Sequence, residues 1–293
     1  MKNASPFKLS FEFFPPKTPE GISALQQTAQ DLARVSPDFF SVTFGAGGST
    51  RTGTLEAVTK LQQTNISIAP HLACIGLTRA DLTSLLQTYQ SLGVKRIVAL
   101  RGDMPSGMGQ NCELKFADEL VTLIRETTHD LFNIEVAAYP EVHPQAKNAL
   151  DDLHYFKKKV DAGANSAITQ YFFNPDSYFY FVDQCIKQGI SIPIIPGIMP
   201  ITHFAKLARF SAMCGAEIPR WIEKRLASYA DDQESIQAFG LEVVYNLCER
   251  LINGGVSGLH FYTLNHADTS LKLVDMLSLN HSRVSARQKI TAR

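Results

Sequence analysis

LTSLLQTYQSLGVKRIVALRGD, residues 82–103, contains the unit from which the fold can be read. Leu82, Leu85, Leu86 and Tyr89 recur at helical spacing and share one face. Gly93 closes that periodic segment, Val94 follows as an apolar neighbour, and Arg96–Arg101 reads as a buried strand. Glycine just past a helix supplies the left-handed turn, and the apolar residue after it packs back on the helix. The same order of helix, glycine, apolar residue and strand recurs at Gly163-Ala164, Gly189-Ile190 and Gly255-Val256. Repetition of this unit predicts a parallel sheet with helical crossovers.

Eight runs rich in β-branched and aromatic residues read as strands: Leu9–Phe14, Phe39–Phe44, Ser67–Cys74, Arg96–Arg101, Glu135–Tyr139, Ala167–Phe172, Ile192–Ile195 and Leu259–Thr263. Eight strands alternating with about as many helices in 293 residues favour a (β/α)8 TIM barrel. A doubly wound sheet competes, but no Gly-x-Gly-x-x-Gly follows the first strand. The stretch from Ala216 to Gln237 is long for a connection and predicts an extra helix before the last barrel strand. The seventh strand is expected to end near Pro196, because proline donates no ladder hydrogen bond. Residues 1–279 read as one barrel domain and 280–293, which carry no apolar stripe, as a frayed tail.

Lys plus Arg number 28 and Asp plus Glu 28, so the chain is formally neutral. That speaks against a nucleic-acid surface or a polybasic membrane anchor. The five cysteines are scattered, with no Cys-x-x-Cys pair, which suits a reducing compartment better than a disulfide framework or a zinc ribbon. Met1 to Ser10 lacks a signal-peptide stretch, and the apolar run Ile192 to Ile201 is cut by three prolines. A soluble, cytoplasmic protein is expected.

Barrel chemistry collects at the carboxyl ends of the strands. Those positions supply Glu12, Thr43, the glycine cluster Gly45-Ala46-Gly47-Gly48, His71, Arg101-Gly102-Asp103, Tyr139, His143, Gln170, His260, Tyr262 and Asn265. Glu12 lies among Phe11, Phe13 and Phe14, so desolvation should keep it protonated near neutral pH and fit it to act as a general acid. A buried glutamate satisfied by backbone or an arginine is the plainer alternative. Arg101 and Asp103 suit an ion pair, and His71 and His143 suit core histidines. Glu12, Asp103, His71 and His143 could instead make the site of a metal-dependent barrel hydrolase or lyase, although ligands from four separate strands are a weak sequence signal. No lysine ends a strand to form a Schiff base, and no Gly-x-Ser-x-Gly elbow is present. The lysines at the end of the segment from His143 to Lys159 complement a helix dipole, or meet an anionic cofactor together with Tyr139 and His143.

Eight motifs in order carry a family resemblance. They are Phe11-Glu12-Phe13-Phe14-Pro15-Pro16, Ser41-Val42-Thr43-Phe44-Gly45-Ala46, Ala69-Pro70-His71-Leu72 and Leu100-Arg101-Gly102-Asp103. These are followed by Ala138-Tyr139-Pro140-Glu141-Val142-His143-Pro144, Thr169-Gln170-Tyr171-Phe172-Phe173, Pro196-Gly197-Ile198-Met199-Pro200 and His260-Phe261-Tyr262-Thr263-Leu264-Asn265. The series resembles methylenetetrahydrofolate reductase of the single-domain bacterial form. The resemblance implies an FAD-containing enzyme, a homo-oligomer, that reduces 5,10-methylenetetrahydrofolate to 5-methyltetrahydrofolate for methionine synthesis. It further implies ping-pong kinetics with NADH as hydride donor.

By the same resemblance Glu12 matches the general acid that opens the five-membered ring, and Asp103 a catalytic aspartate facing both pterin and flavin. Thr43, Phe44, Ala46, His71, Arg101, Gly102, Asp103, Ala117, Tyr139, His143, Ala146, Asp152, Lys158 and Lys159 match FAD-contacting positions. Gln170 and Phe210 match substrate-contacting positions, and no metal is implied. The chain departs from the pattern at His266 and Lys158, where the family carries arginine, and at Lys206, where some relatives carry glutamine.

Overall fold

Every strand pairing in the computed structural model is parallel; the structure describes residues 7–44, 51–102 and 112–279. Strands β1 (Lys8–Phe13), β2 (Phe39–Val42), β3 (Ser67–Ala73), β4 (Arg96–Leu100), β5 (Asn133–Ala138) and β6 (Ser166–Thr169) pair in chain order. β7 (Ile194–Ile195) adds to β6, while β8 (Gly197–Ile198) pairs with β9 (Gly258–Tyr262), which returns to β1. The sheet curls into a TIM-barrel fold.

Helices α1 (Pro19–Ala33), α2 (Arg51–Leu61), α3 (Arg79–Ser91), α4 (Ala117–Thr128), α5 (Ala149–Asp161) and α6 (Pro175–Lys187) fill the crossovers between the first seven strands. Three more, α7 (Phe204–Cys214), α8 (Arg220–Ser228) and α9 (Gln233–Asn253), lie between β8 and β9, and α10 (Asp268–Met276) follows. α8 is the extra helix that the long connection predicts. Gly93, Gly163, Gly189 and Gly255 all adopt positive φ, as the helix–glycine–strand unit requires. The tail from residue 280 onward lies outside the described residues, as does the glycine cluster 45–48.

The seventh barrel strand corrects the expectation that it ends near Pro196. It is interrupted there and resumes as β8. Pro196 lacks an N–H, yet its carbonyl accepts from His260 N at 3.0 Å, and Gly197 N donates to Thr169 Oγ1 at 2.9 Å. Gly197 is required: a Cβ there would stand 2.2 Å from Thr169 O and 2.6 Å from the Tyr262 ring. The break lets one short segment serve both neighbours, its first half bonded to β6 and its second to β9.

Alternation along each strand separates two cores. Phe11, Phe13, Phe40 and Phe261 belong to the large cluster between sheet and helices. Phe39, Ala69, Val98 and Ile168 form a small cluster of their own. Polar residues alternate with these inward positions: Ser10, Glu12, Ser41, His71, Glu135 and His260 are all buried. A ring column runs through them: the Arg96 guanidinium lies 4.6 Å over Phe39, Phe39 stacks on His260 at 6.0 Å, and His260 meets Tyr262 edge-on at 5.4 Å.

Candidate active site

Parallel register brings the first and last strands together, with Ser10 opposite His260 and Glu12 opposite Tyr262. Glu12 Oε2 consequently lies 3.3 Å from His71 Nε2 and 3.5 Å from His260 Nε2. His260 is fully buried, and its other ring nitrogen, Nδ1, sits 2.7 Å from Ser10 Oγ. A serine hydroxyl donating to Nδ1 leaves the ring proton on Nε2, facing the carboxylate.

This neighbourhood corrects the expectation of a protonated glutamate. Burial pushes the Glu12 carboxyl up, but the charge of His71 and hydrogen bonds from His260 and His71 outweigh it, holding the group at about 2. Phe11 and Phe13, which suggested an apolar setting, point to the opposite face of the strand. The sign follows from linkage. A carboxyl with a folded value below its unfolded 4.5 contributes stability above about 4.5, and that contribution is lost as pH falls through about 2. In a carbon-13 titration the Glu12 carboxyl is therefore expected to stay ionised at pH 3.5; protonation at or above pH 4.5 would contradict the pairing.

A cavity of about 770 Å³ opens at the carboxyl ends of the strands, within the usual range for a small-molecule or cofactor site. It brings together many of the positions singled out in the sequence. Phe44, Arg101, Gly102, Ala117, Tyr139, His143 and Ala146 line it, with Asp152, Lys159, Gln170 and Phe210. Glu12, Thr43, His71 and Lys158 do not line its wall. The Lys158 ammonium lies 5.2 Å over the Tyr155 ring, which does line it and which stacks on Phe116 at 5.2 Å. Asp103 and Ala46 lie outside the described residues.

Part of the cavity lining is charged. Lys159 Nζ donates to Ala137 O at 2.5 Å, and burial pulls the ammonium down to about 8 against the opposing pull of Asp152 and Asp118. Asp152 Oδ2 accepts from His143 N at 2.8 Å, and His143 meets Tyr139 edge-on at 4.5 Å. Arg101 turns its guanidinium to Gln145 Oε1. Gly102, at φ 85°, passes so close to Ala73 that a Cβ would stand 2.9 Å from that methyl group, so only glycine fits the backbone path there. Apolar lining comes from Phe210, Met213 and Cys214 of α7 with Met199 and Leu264. Gln170 accepts from Tyr171 N through Oε1 at 2.9 Å, leaving its Nε2 as a donor to a ligand. Ser10 is the residue that reading strand ends overlooks. Its signal was available, since it shares the inward face of β1 with Glu12 two residues on.

Methylenetetrahydrofolate reductase is the family whose sequence model matches residues 1–278. The 5,10-methylenetetrahydrofolate reductase of Escherichia coli K12 is 41% identical over 272 residues, covering 92% of this chain and 90% of its own. The enzyme of the same name from Buchnera aphidicola subsp. Schizaphis graminum is 42% identical over 271 residues, covering 92% and 91%. A solved structure of an uncharacterized Clostridium thermocellum protein, described as binding two copies of 5-methyl-5,6,7,8-tetrahydrofolic acid, superposes with a TM-score of 0.70. It covers 94% of this chain and 97% of that one at 17% identity, a likeness of fold.

Proposed function

The chain belongs to the methylenetetrahydrofolate reductase family, and from that premise we propose that it reduces 5,10-methylenetetrahydrofolate with FAD as cofactor and NADH as hydride donor, in ping-pong order. The observation that carries this reading is one cavity lined by charged and aromatic side chains together, with a buried carboxylate–imidazole cluster in the barrel interior. The cavity's size and its mix of ring faces, lysine and arginine fit a flavin dinucleotide. Bound there, FAD would supply the hydride chemistry that links nicotinamide oxidation to reduction of the folate methylene carbon.

The protein's own groups divide the remaining work. Lys159, Arg101 and His143 would hold the anionic and polar parts of the dinucleotide. Phe210 offers a ring face to either visitor, and Gln170 a donor to the pterin. Opening the five-membered folate ring requires a proton on a ring nitrogen, and Glu12 is assigned to deliver it. With its carboxylate ionised at rest, Glu12 would receive the proton from a protonated His71, which becomes a neutral imidazole as Glu12 gives a proton to the ring nitrogen. Asp103 is assigned to the pterin and flavin on the ground of the sequence match alone. The Clostridium thermocellum protein, alike in fold, is described as binding 5-methyl-5,6,7,8-tetrahydrofolic acid, a ligand of the class proposed for this chain. Residues 1–279 are taken as one catalytic domain, acting in the cytoplasm as a homo-oligomer.

Anaerobic titration of the purified protein tests the proposal. A flavin absorption band is expected, bleached by NADH faster than by NADPH and restored by 5,10-methylenetetrahydrofolate. A colourless protein whose activity disappears with a chelator would instead favour the metal-dependent hydrolase or lyase.

A further inference from the structure

The chain leaves β9 through two consecutive left-handed residues, Leu264 at φ 52° and Asn265 at φ 61°. Asparagine visits that region readily; leucine does so under strain. Such strain persists where the surroundings over-determine it. Here they do. Phe14 N donates to Asn265 Oδ1 at 2.8 Å, and Asn265 Nδ2 donates to Phe14 O at 2.9 Å, so one side-chain amide pairs with both backbone groups of one residue after β1. Thr28 Oγ1 of α1 donates to Asn265 O at 3.2 Å, and Asn265 N donates to Thr263 Oγ1 at 3.1 Å. Both Phe14 and Leu264 line the cavity, and Phe14 is 40% exposed.

We propose that Asn265 is a positioning residue that clips the loop after the first barrel strand to the loop after the last, and thereby sets Phe14 and Leu264 as the apolar walls that admit the folate. Its side chain is the one that fits: aspartate lacks the donor, glutamine is a methylene too long, and serine cannot bond both groups. The side-chain clip governs affinity and not the proton step, because Asn265 meets the support of Glu12 only through its backbone N–H on Thr263 Oγ1, which the side-chain variants keep. Glu12 sits in the β1–β9 ladder, and its carbonyl accepts from Thr263 Oγ1 at 2.6 Å.

The proposal rests on reading the cavity as the folate site, so its test has one arm that needs no turnover. Asn265→Gly keeps the left-handed backbone and removes both bonds, whereas Asn265→Asp keeps the acceptor alone. KM for 5,10-methylenetetrahydrofolate is expected to rise about tenfold in the glycine variant and less in the aspartate variant, with kcat within about twofold. Deuterium exchange at the Phe14 amide is expected to accelerate by about tenfold or more. A wild-type KM, or a fall in kcat at unchanged KM, overturns the proposal. Should the wild-type protein reduce no folate, the exchange arm still decides the clip: lost protection at Phe14 supports it and retained protection overturns it. If the glycine variant does not fold, Asn265→Ala, which also removes both side-chain bonds, carries both measurements.

Discussion

Glu12→Gln is expected to leave hydride uptake from the nicotinamide near its wild-type rate and to slow reduction of 5,10-methylenetetrahydrofolate by about 10²–10⁴-fold. The amide matches the carboxyl in shape, so the barrel interior between His71 and His260 stays filled. What disappears is the ability to take a proton from an imidazole and release it to a ring nitrogen. The nicotinamide reaction transfers a hydride to the cofactor and asks for no such proton from this cluster, so the two half-reactions should separate. Stopped-flow absorbance under anaerobic conditions, with each substrate mixed alone, measures them individually. Folate turnover at the wild-type rate in the variant would remove Glu12 from the chemistry and leave the cluster as a buried structural pair.

The difference between Glu12 as read in the sequence and in the structure shows where reasoning along a strand stops. Hydrophobic neighbours in sequence are, on a strand, neighbours across the sheet. Phe11 stacks on Phe261 at 5.6 Å in the outer core while Glu12 faces the interior. What sets the carboxylate's state is His71 from β3 and His260 from β9, and these meet Glu12 only because the barrel closes. Closure was legible in the count of eight strands alternating with helices, and with it the adjacency of first and last strands. The side-chain distances were not, because they depend on register and tilt.

The seventh strand shows the complementary case. Proline weakens a ladder, which is local and legible; that the chain would resume at Gly197 and bond to the other side depends on Thr169 and His260, which approach from β6 and β9. Composition likewise flagged Lys158 and Lys159 as equals. Their consecutive places on α5 turn them to different faces, one over Tyr155 and one to the Ala137 carbonyl.

At the amino-terminal ends of β4, β5 and β6 the barrel holds a second buried charge cluster that takes no part in the proposed reaction. Arg96 bonds Glu135 directly, and Ser166 donates to the other carboxylate oxygen; Glu135 is 2% exposed. In barrels this face contributes stability and the opposite face chemistry. Arg96→Ala strands a carboxylate with no cation beside it, which costs about 3–5 kcal/mol. For a chain of this size that lowers Tm by roughly 10 °C. The ring column adds to the loss, because Arg96 also covers the Phe39 face. Yet kcat at 25 °C is expected to match wild type, since the cavity residues belong to the other end of the strands. The double variant Arg96→Met/Glu135→Leu removes both charges and keeps apolar volume, so it should recover much of the stability lost by Arg96→Ala, as buried pairs replaced whole by apolar groups generally do. Thermal unfolding of the three proteins checks this. A double variant less stable than Arg96→Ala would mean that the pair holds the barrel together in its own right, and not merely that each charge must not be left alone.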